Sequence, residues 1–359
     1  LLPFAVGLFV LGTLVGLTHW AGIKLGEPGI TTEVAALLTF TLGGIAAVGL
    51  YWLAIATGVV TVILLQEKTR LESLATRVPS DELRTLVRFL VLTGVILPVV
   101  PNQSFTAFDI NPFTIWLVVV AVSGVSYLSY LLQLRWDQGR GLFLAGLLGG
   151  AYSSTVTTVV LARQSKTGDQ PATSYVGAIV AATGVMYLRL WILVALFAPP
   201  LARELTALFV ALGLITIATG AALVRLRPKQ PDAEAMHALQ ERVSNPLEIS
   251  SAFTFAGIFL AVMIATRLVA ERFGGTGVLV MAAVMGAADV DPFILGLTQY
   301  VGTGVTLGTA ALAVVIAAAT NNVMKGVYAL IFGAPRVGRL SLAILSAIGA
   351  ASLVVFLAF

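Results

Sequence analysis

Two carboxylates, Asp289 and Asp291, stand two residues apart in the otherwise apolar run VMGAADVDPFILG of a 359-residue chain. At membrane depth each would cost about 2.5–3.5 kcal/mol on translocon scales, so they need partners or water. Pro292 beside them bars normal helix continuation. As ligands they suit a cation or proton; as counter-charges they suit Arg189 and Lys325, and the residues alone leave both readings open. Arg189 and Lys325 each stand ten residues before a proline, Pro199 and Pro335. At ~1.5 Å per residue that is roughly 15 Å, half of a hydrocarbon core about 30 Å thick. Both therefore sit near mid-depth, to balance charge or bind an anionic partner.

Asn321 and Asn322 precede Lys325 on the apolar run AVVIAAATNNVMKGVYALIF. Their amides supply donors and acceptors to an ion that sheds part of its water, unless they only glue helices together. Ser153, Ser154, Thr155 and Thr157 follow the paired glycines of GLLGGAYSSTVTTVVLAR. Such a run makes a poor continuous helix, and a break there would offer half-helix amides and hydroxyls to a solute. Alternatively the hydroxyls bond carbonyls of the preceding turn. Glu33, after Thr31 and Thr32, is a further candidate, although an acid in a first turn also complements the helix dipole.

Enzyme chemistry finds no support. Asp289 and Asp291 lack the spacing of a separated aspartyl pair, and no Ser-His or His-Glu-x-x-His arrangement occurs. There is no cysteine, and the two histidines, His19 and His237, are placed in loops, which disfavours zinc. No organic cofactor is expected and a bound ion is left open; Mg²⁺ would suit the carboxylates, but the two nearby cations weigh against it.

Composition decides the kind of fold that carries these groups. The chain is 58% hydrophobic and 11% charged, with 35 glycines and a mean hydropathy of +0.98. A soluble domain carries about 25% charged residues, so the fold expected is an all-α polytopic bundle in a lipid bilayer. Leu-, Val- and Ala-rich runs favour helices over the alternating ten-residue strands of a barrel. Apolar segments fall at 2–18, 33–48, 50–66, 84–100, 113–134, 141–162, 173–198, 203–225, 246–270, 277–301, 306–333 and 338–358, the long second run from Thr32 to Leu65 being divided because Gly43-Gly44 and Gly49 are places to interrupt it. The hydrophilic stretches 67–84 and 226–245 are too small to be domains, so residues 1–359 read as one membrane domain; DAEAMHALQER suits an interfacial amphipathic helix, and Asp109, Asn111 and Pro112 suit a turn. The net charge of +4 is spread over short loops and does not indicate nucleic acid. The opening run lacks the basic segment of a cleavable signal and suggests a portion missing upstream.

Sliding the chain by 136 positions superposes Gly139 on Gly275, Gly141 on Gly277, Gly150 on Gly286, Pro199 on Pro335 and the cation Arg189 on Lys325. A repeat of 139–199 in 275–335 is therefore expected, the ground plan of many secondary transporters. If every segment crossed the membrane, the positive-inside rule would fail for Arg163, Lys166, Arg225, Arg227, Lys229 and Arg242. If 141–162 and 277–301 instead dip in and return, only Arg203, Arg267 and Arg272 stay outside. The tally favours an inverted repeat with two broken or re-entrant segments.

TTEVAALLTF, SDELRTLVRF with LPVVP, GLLGGAYSSTVTTVVLARQSK, GAADVD and the Asn-Asn-Val-Met-Lys run together resemble the uncharacterised C-terminal membrane domain of MgtC/SapB-family proteins over about residues 31–355. The resemblance implies a multi-pass protein of a prokaryotic cytoplasmic (inner) membrane, with residues 1–30 as a remnant of an MgtC-like portion. The function expected is movement of an ion or small solute, cation- or proton-coupled, through a polar midplane site between the repeats. The alternative is a non-transporting MgtC-like regulator acting through a partner protein. A homo-oligomer is left open.

Overall fold

The computed structural model describes residues 2–24, 31–68, 86–105, 110–135, 141–225, 249–302 and 304–358. Contacts divide the chain into two units, Leu1–Leu83 and Arg84–Phe359. His237, Asp109 and the 232–242 stretch lie outside the described residues.

The N-terminal unit holds α1 (Leu2–Lys24), α2 (Thr31–Ala47) and α3 (Tyr51–Gln66). The long second run breaks at Gly49, whose φ of 88° favours glycine, while Gly43 and Gly44 stay inside α2. Phe4 stacks on Phe40 at 5.1 Å between ring centroids. His19 is not in a loop. The helix runs on to Lys24, whose ammonium lies 3.7 Å over the Trp20 ring, and His19 Nδ1 lies 3.6 Å from Glu33 Oε1.

The second unit opens with α4 (Leu86–Val99), which widens to π geometry at Val91–Ile96, before Pro98. Then come α5 (Pro112–Arg135), α6 (Gly141–Gln164), α7 (Ala172–Phe197), α8 (Pro199–Arg225), α9 (Ile249–Ala288), α10 (Val290–Thr298), α11 (Leu307–Phe332) and α12 (Pro335–Ala358). Asn111 caps α5 by accepting from the amides of Phe113 at 3.0 Å and Thr114 at 3.3 Å. Eight helices among the described residues are long and apolar enough to cross a membrane. Among the described residues there is no sheet, only an isolated bridge between Val301 and Val305. The protein is an all-α polytopic membrane protein.

Two of the long helices fold back on themselves. Within α6, Ser153 is extended (φ −156°, ψ 107°). A Cβ added at Gly149 would lie 3.4 Å from Thr157 Cβ, whereas residues eight apart on a straight helix are about 12 Å apart. Residues 141–152 (α6a) and 154–164 (α6b) are thus the arms of a hairpin. Gly146 packs on the Ala178 backbone and Gly150 on that of Ala182, so α6a runs parallel to α7 as far as its middle. A side chain at either glycine would collide with α7 main chain. The second fold is in α9, whose 40 residues would span about 60 Å if straight. Gly274 (φ 61°, ψ −153°) turns it in a conformation open to glycine. A Cβ at Gly277 would lie 3.2 Å from the Val269 carbonyl, and Thr266 Oγ1 is 3.7 Å from Met281 Sδ. Residues 249–273 (α9a) and 275–288 (α9b) are therefore antiparallel. α9b follows α11 from Thr309 to Ala317, the chain extends at Asp289 (φ −144°, ψ 118°), and α10 returns to place Gly296 against Met263 of α9a. α9b and α10 make the second hairpin.

Ser153 and Asp289, the two extended tips, are 136 positions apart, as are Pro199 and Pro335, which open α8 and α12. α7 and α8 are antiparallel, Gly184 meeting Gly213 and Gly177 meeting Gly220; α11 and α12 are likewise, Gly349 meeting Ala319 and Gly326 meeting Leu342. The Ala334 amide donates to Ser165 Oγ at 2.9 Å, which puts the end of α11 beside the start of α7. α7 and α11 consequently run in opposite senses, and the hairpins enter from opposite ends of the bundle.

Candidate solute site between the hairpin tips

The first hairpin ends where it does because paired glycines let α6a pack closely on α7 and small hydroxyls follow them. Ser153 Oγ accepts from the Val156 amide at 3.3 Å, capping α6b. Ser154 and Thr157 are buried, Ser153 and Thr155 partly so. Thr157 packs across the hairpin on Gly149, and Thr158 Oγ1 donates back to the Ser154 carbonyl at 2.8 Å, the local bonding expected of a hydroxyl in a helix. The second tip is built alike but acidic. Asp289 Oδ1 accepts from the Asp291 amide at 3.3 Å and caps α10, with its side chain exposed at the tip.

Arg189 of α7 joins the two tips. Its Nη2 donates to Asp291 Oδ2, and its Nη1 donates to the Tyr152 carbonyl, the last of α6a, at 3.1 Å. The Arg189 and Asp291 side chains are 10% and 15% exposed, so each largely supplies what the other lost with its water; removing one alone leaves a buried charge.

A few residues along α7 and α11 the same level continues. Asn322 Nδ2 donates to Tyr187 Oη at 2.7 Å, Asn321 Nδ2 to the Gly286 carbonyl at 3.1 Å, and Lys325 Nζ to Met186 Sδ at 2.8 Å. Lys325 is fully buried. Arg189 Nε and the Oδ1 atoms of Asn321 and Asn322 are buried without partners. A level of polar groups deep in apolar helices, only partly satisfied, can exchange hydrogen bonds with a polar solute.

Asp289, Asp291, Asn321, Asn322, Ser153, Ser154, Thr155, Arg189 and Lys325 thus lie on the two tips and the middles of α7 and α11. Asp291 is already engaged by Arg189, and Thr157 serves the hairpin's packing. Glu33 belongs to the N-terminal unit, facing His19. Among the described residues no group of three His, Cys, Asp or Glu side chains could hold a metal. The sequence reading missed Met186, Tyr187 and the Tyr152 carbonyl. An offset of 136 positions sets Met186 against Asn322, but it sets Tyr187 and Tyr152 against the apolar Val323 and Ala288 and so gives no signal for them. At the mouth of the second hairpin a cavity of about 460 Å³ is lined by Asn111, Thr114, Arg267, Glu271, Gln299 and Tyr300 among others.

No solved structure matches the chain. An uncharacterized protein of Aquifex aeolicus (strain VF5) is 24% identical over 201 residues, covering 55% of this chain and 86% of that protein. The family model described as Domain of unknown function (DUF4010) matches residues 120–333, from the middle of α5 to the end of α11 and across both hairpins. With more than half of its length so matched, the chain belongs to this DUF4010 family.

Proposed function

We propose that this protein is a secondary membrane transporter that moves an ion or small solute past the two hairpin tips. The observation that carries the reading is Arg189, which holds the Tyr152 carbonyl of one tip and Asp291 of the other. Two half-depth hairpins entering from opposite ends leave a site closed from each side by about half a bilayer of protein. Exchange of the Arg189 contacts between tips supplies a way to open one side at a time, the alternating access that inverted repeats support. On this reading the 136-residue offset records a duplication of α5–α8 as α9–α12.

Charge sets the proposed orientation. Arg163, Lys166, Arg225, Arg336 and Arg339 gather at the mouth of the first hairpin with Asp169; Arg203, Arg267 and Arg272 at the other end are offset by Glu204 and Glu271. The positive-inside rule puts the first mouth in the cytoplasm. The bacterial relative supports a prokaryotic cytoplasmic membrane. We further propose kinship to the membrane domain that follows MgtC-like portions, a kinship that implies no activity of its own.

Flux into proteoliposomes, followed across a panel of cations, anions and pH gradients, tests the reading. Wild-type protein should carry at least one species and Asp291→Asn should abolish it; equal flux in both removes the tip acids from the mechanism. One observation favours a second reading, a regulator with a structural lock: Arg189 and Asp291 neutralise each other. Copurification of a stoichiometric partner, with no flux of any species, would select it.

A further inference from the structure

The two tips are alike in backbone, but the first is neutral and the second acidic. At the second tip the carboxylate of Asp291 sits at the start of α10 and takes a hydrogen bond from Arg189. The 136-residue offset makes Thr155 the counterpart of Asp291, and Lys325 the counterpart of Arg189. The start of α6b therefore has a hydroxyl where the start of α10 has a carboxylate, and by the same offset the cation that corresponds to Arg189 is Lys325. Helix geometry agrees. A Cβ at Gly333 would lie 3.4 Å from Ala162 Cβ, and α6b and the last half of α11 run toward the same end. Eight residues back from that contact, about 12 Å along each helix, are Ser154 and Lys325.

Lys325 is fully buried, its hydrogen-bond partner is the Met186 thioether, and the carboxylate within its electrostatic reach, Asp291, is already bound by Arg189, so two cations share one paired acid. Arg189, nine-tenths buried, is held to the same tip through the Tyr152 carbonyl and keeps a partnerless Nε. The first amides of α6b have no acceptor within their own helix, and its dipole favours an anion there. Two buried cations, a helix start and short hydroxyls at Ser153, Ser154 and Thr155 converge on one place, where the other tip shows what such a place holds.

We infer that the start of α6b, with Lys325 and Arg189, binds the carboxylate of a small anionic solute, in the manner in which the start of α10 holds Asp291. This names the substrate class of the transporter proposed above and rests on that reading.

The test uses the full chain in lipid nanodiscs and direct binding of radiolabelled acetate, succinate and inorganic phosphate. Wild-type protein should bind a carboxylate saturably. Lys325→Met should weaken it roughly tenfold or more, the effect of losing a charged hydrogen bond. Thr155→Asp, which builds the second tip's carboxylate into the first, should also abolish binding, and should raise the melting temperature only where Lys325 is present. Carboxylate binding unchanged in both variants, or binding of phosphate alone, overturns the inference. Absence of anion binding from a protein that carries cations through proteoliposomes overturns it and leaves the transport reading standing. Carboxylate binding lost in both variants, without flux of any species, upholds the site and removes transport.

Discussion

Arg189 holds Asp291 with one nitrogen and the Tyr152 carbonyl with another, so its hydrogen bonds reach different hairpins from one buried position. Asp291→Asn keeps the shape and removes the countercharge. It should lower the unfolding free energy by about 3 kcal/mol, the cost of breaking a buried ion pair, read as a fall in melting temperature in detergent. Arg189→Met combined with Asp291→Leu removes both charges and should recover most of that stability while flux stays absent. Recovery of both together would make the pair structural alone. The residues were legible from the sequence because a charged side chain in a long apolar run is costly enough to stand out: Arg189, Asp289, Asp291 and Lys325. Their partners were not. Met186 and Tyr187 look like ordinary helix residues until α11 is known to cross α7 beside them, and the Tyr152 acceptor is a backbone atom that no residue type announces.

The hairpins are the elements on which the site depends. Gly149 and Gly150 followed by a cluster of hydroxyls point to a break near Ser153, because that composition gives a helix little to gain by continuing. The fold at Gly274 was less visible, since one residue with positive φ sets it and the apolar pattern on either side reads equally well as a gap between spans. The widening of α4 at Val91–Ile96 has no sequence signal beyond Pro98. The chain has no cysteine, so disulfide trapping is clean. Gly149→Cys with Thr157→Cys should form an intrachain disulfide, detectable by mass spectrometry, because the Cβ positions are 3.4 Å apart, close to the ~3.5–4.5 Å such a bond requires. A straight α6 would hold the thiols about 12 Å apart and give none. Gly150→Leu should drive α6a off the Ala182 backbone and cost about 1–3 kcal/mol of stability, as overpacking does.

In the second unit, Arg84–Phe359, α7 and α11 run in opposite senses and the two hairpins enter from opposite ends. The charge tally along the sequence led toward that arrangement, because a basic loop is costly to place outside whatever the fold. The contacts supply the rest: Ser165 with Ala334, Ala162 with Gly333, and the crossing of α7 by α11 at Tyr187 and Asn322. Thr167→Cys beyond the first hairpin and Gly304→Cys beyond the second should react with a membrane-impermeant maleimide from opposite faces of intact cells and inverted vesicles. Reaction of both from one face would rule out the opposed arrangement. On the transport reading both tips meet solvent at mid-depth rather than lipid. The rate at which a charged, water-soluble methanethiosulfonate modifies Ser153→Cys and Asp289→Cys in proteoliposomes addresses it directly, with Leu214→Cys, 56% exposed on the apolar flank of α8, as the lipid-facing reference. Both tip cysteines should react at least about tenfold faster than the reference, because only the thiolate attacks and it forms only in water; tip cysteines as inert as the one at position 214 would contradict the account.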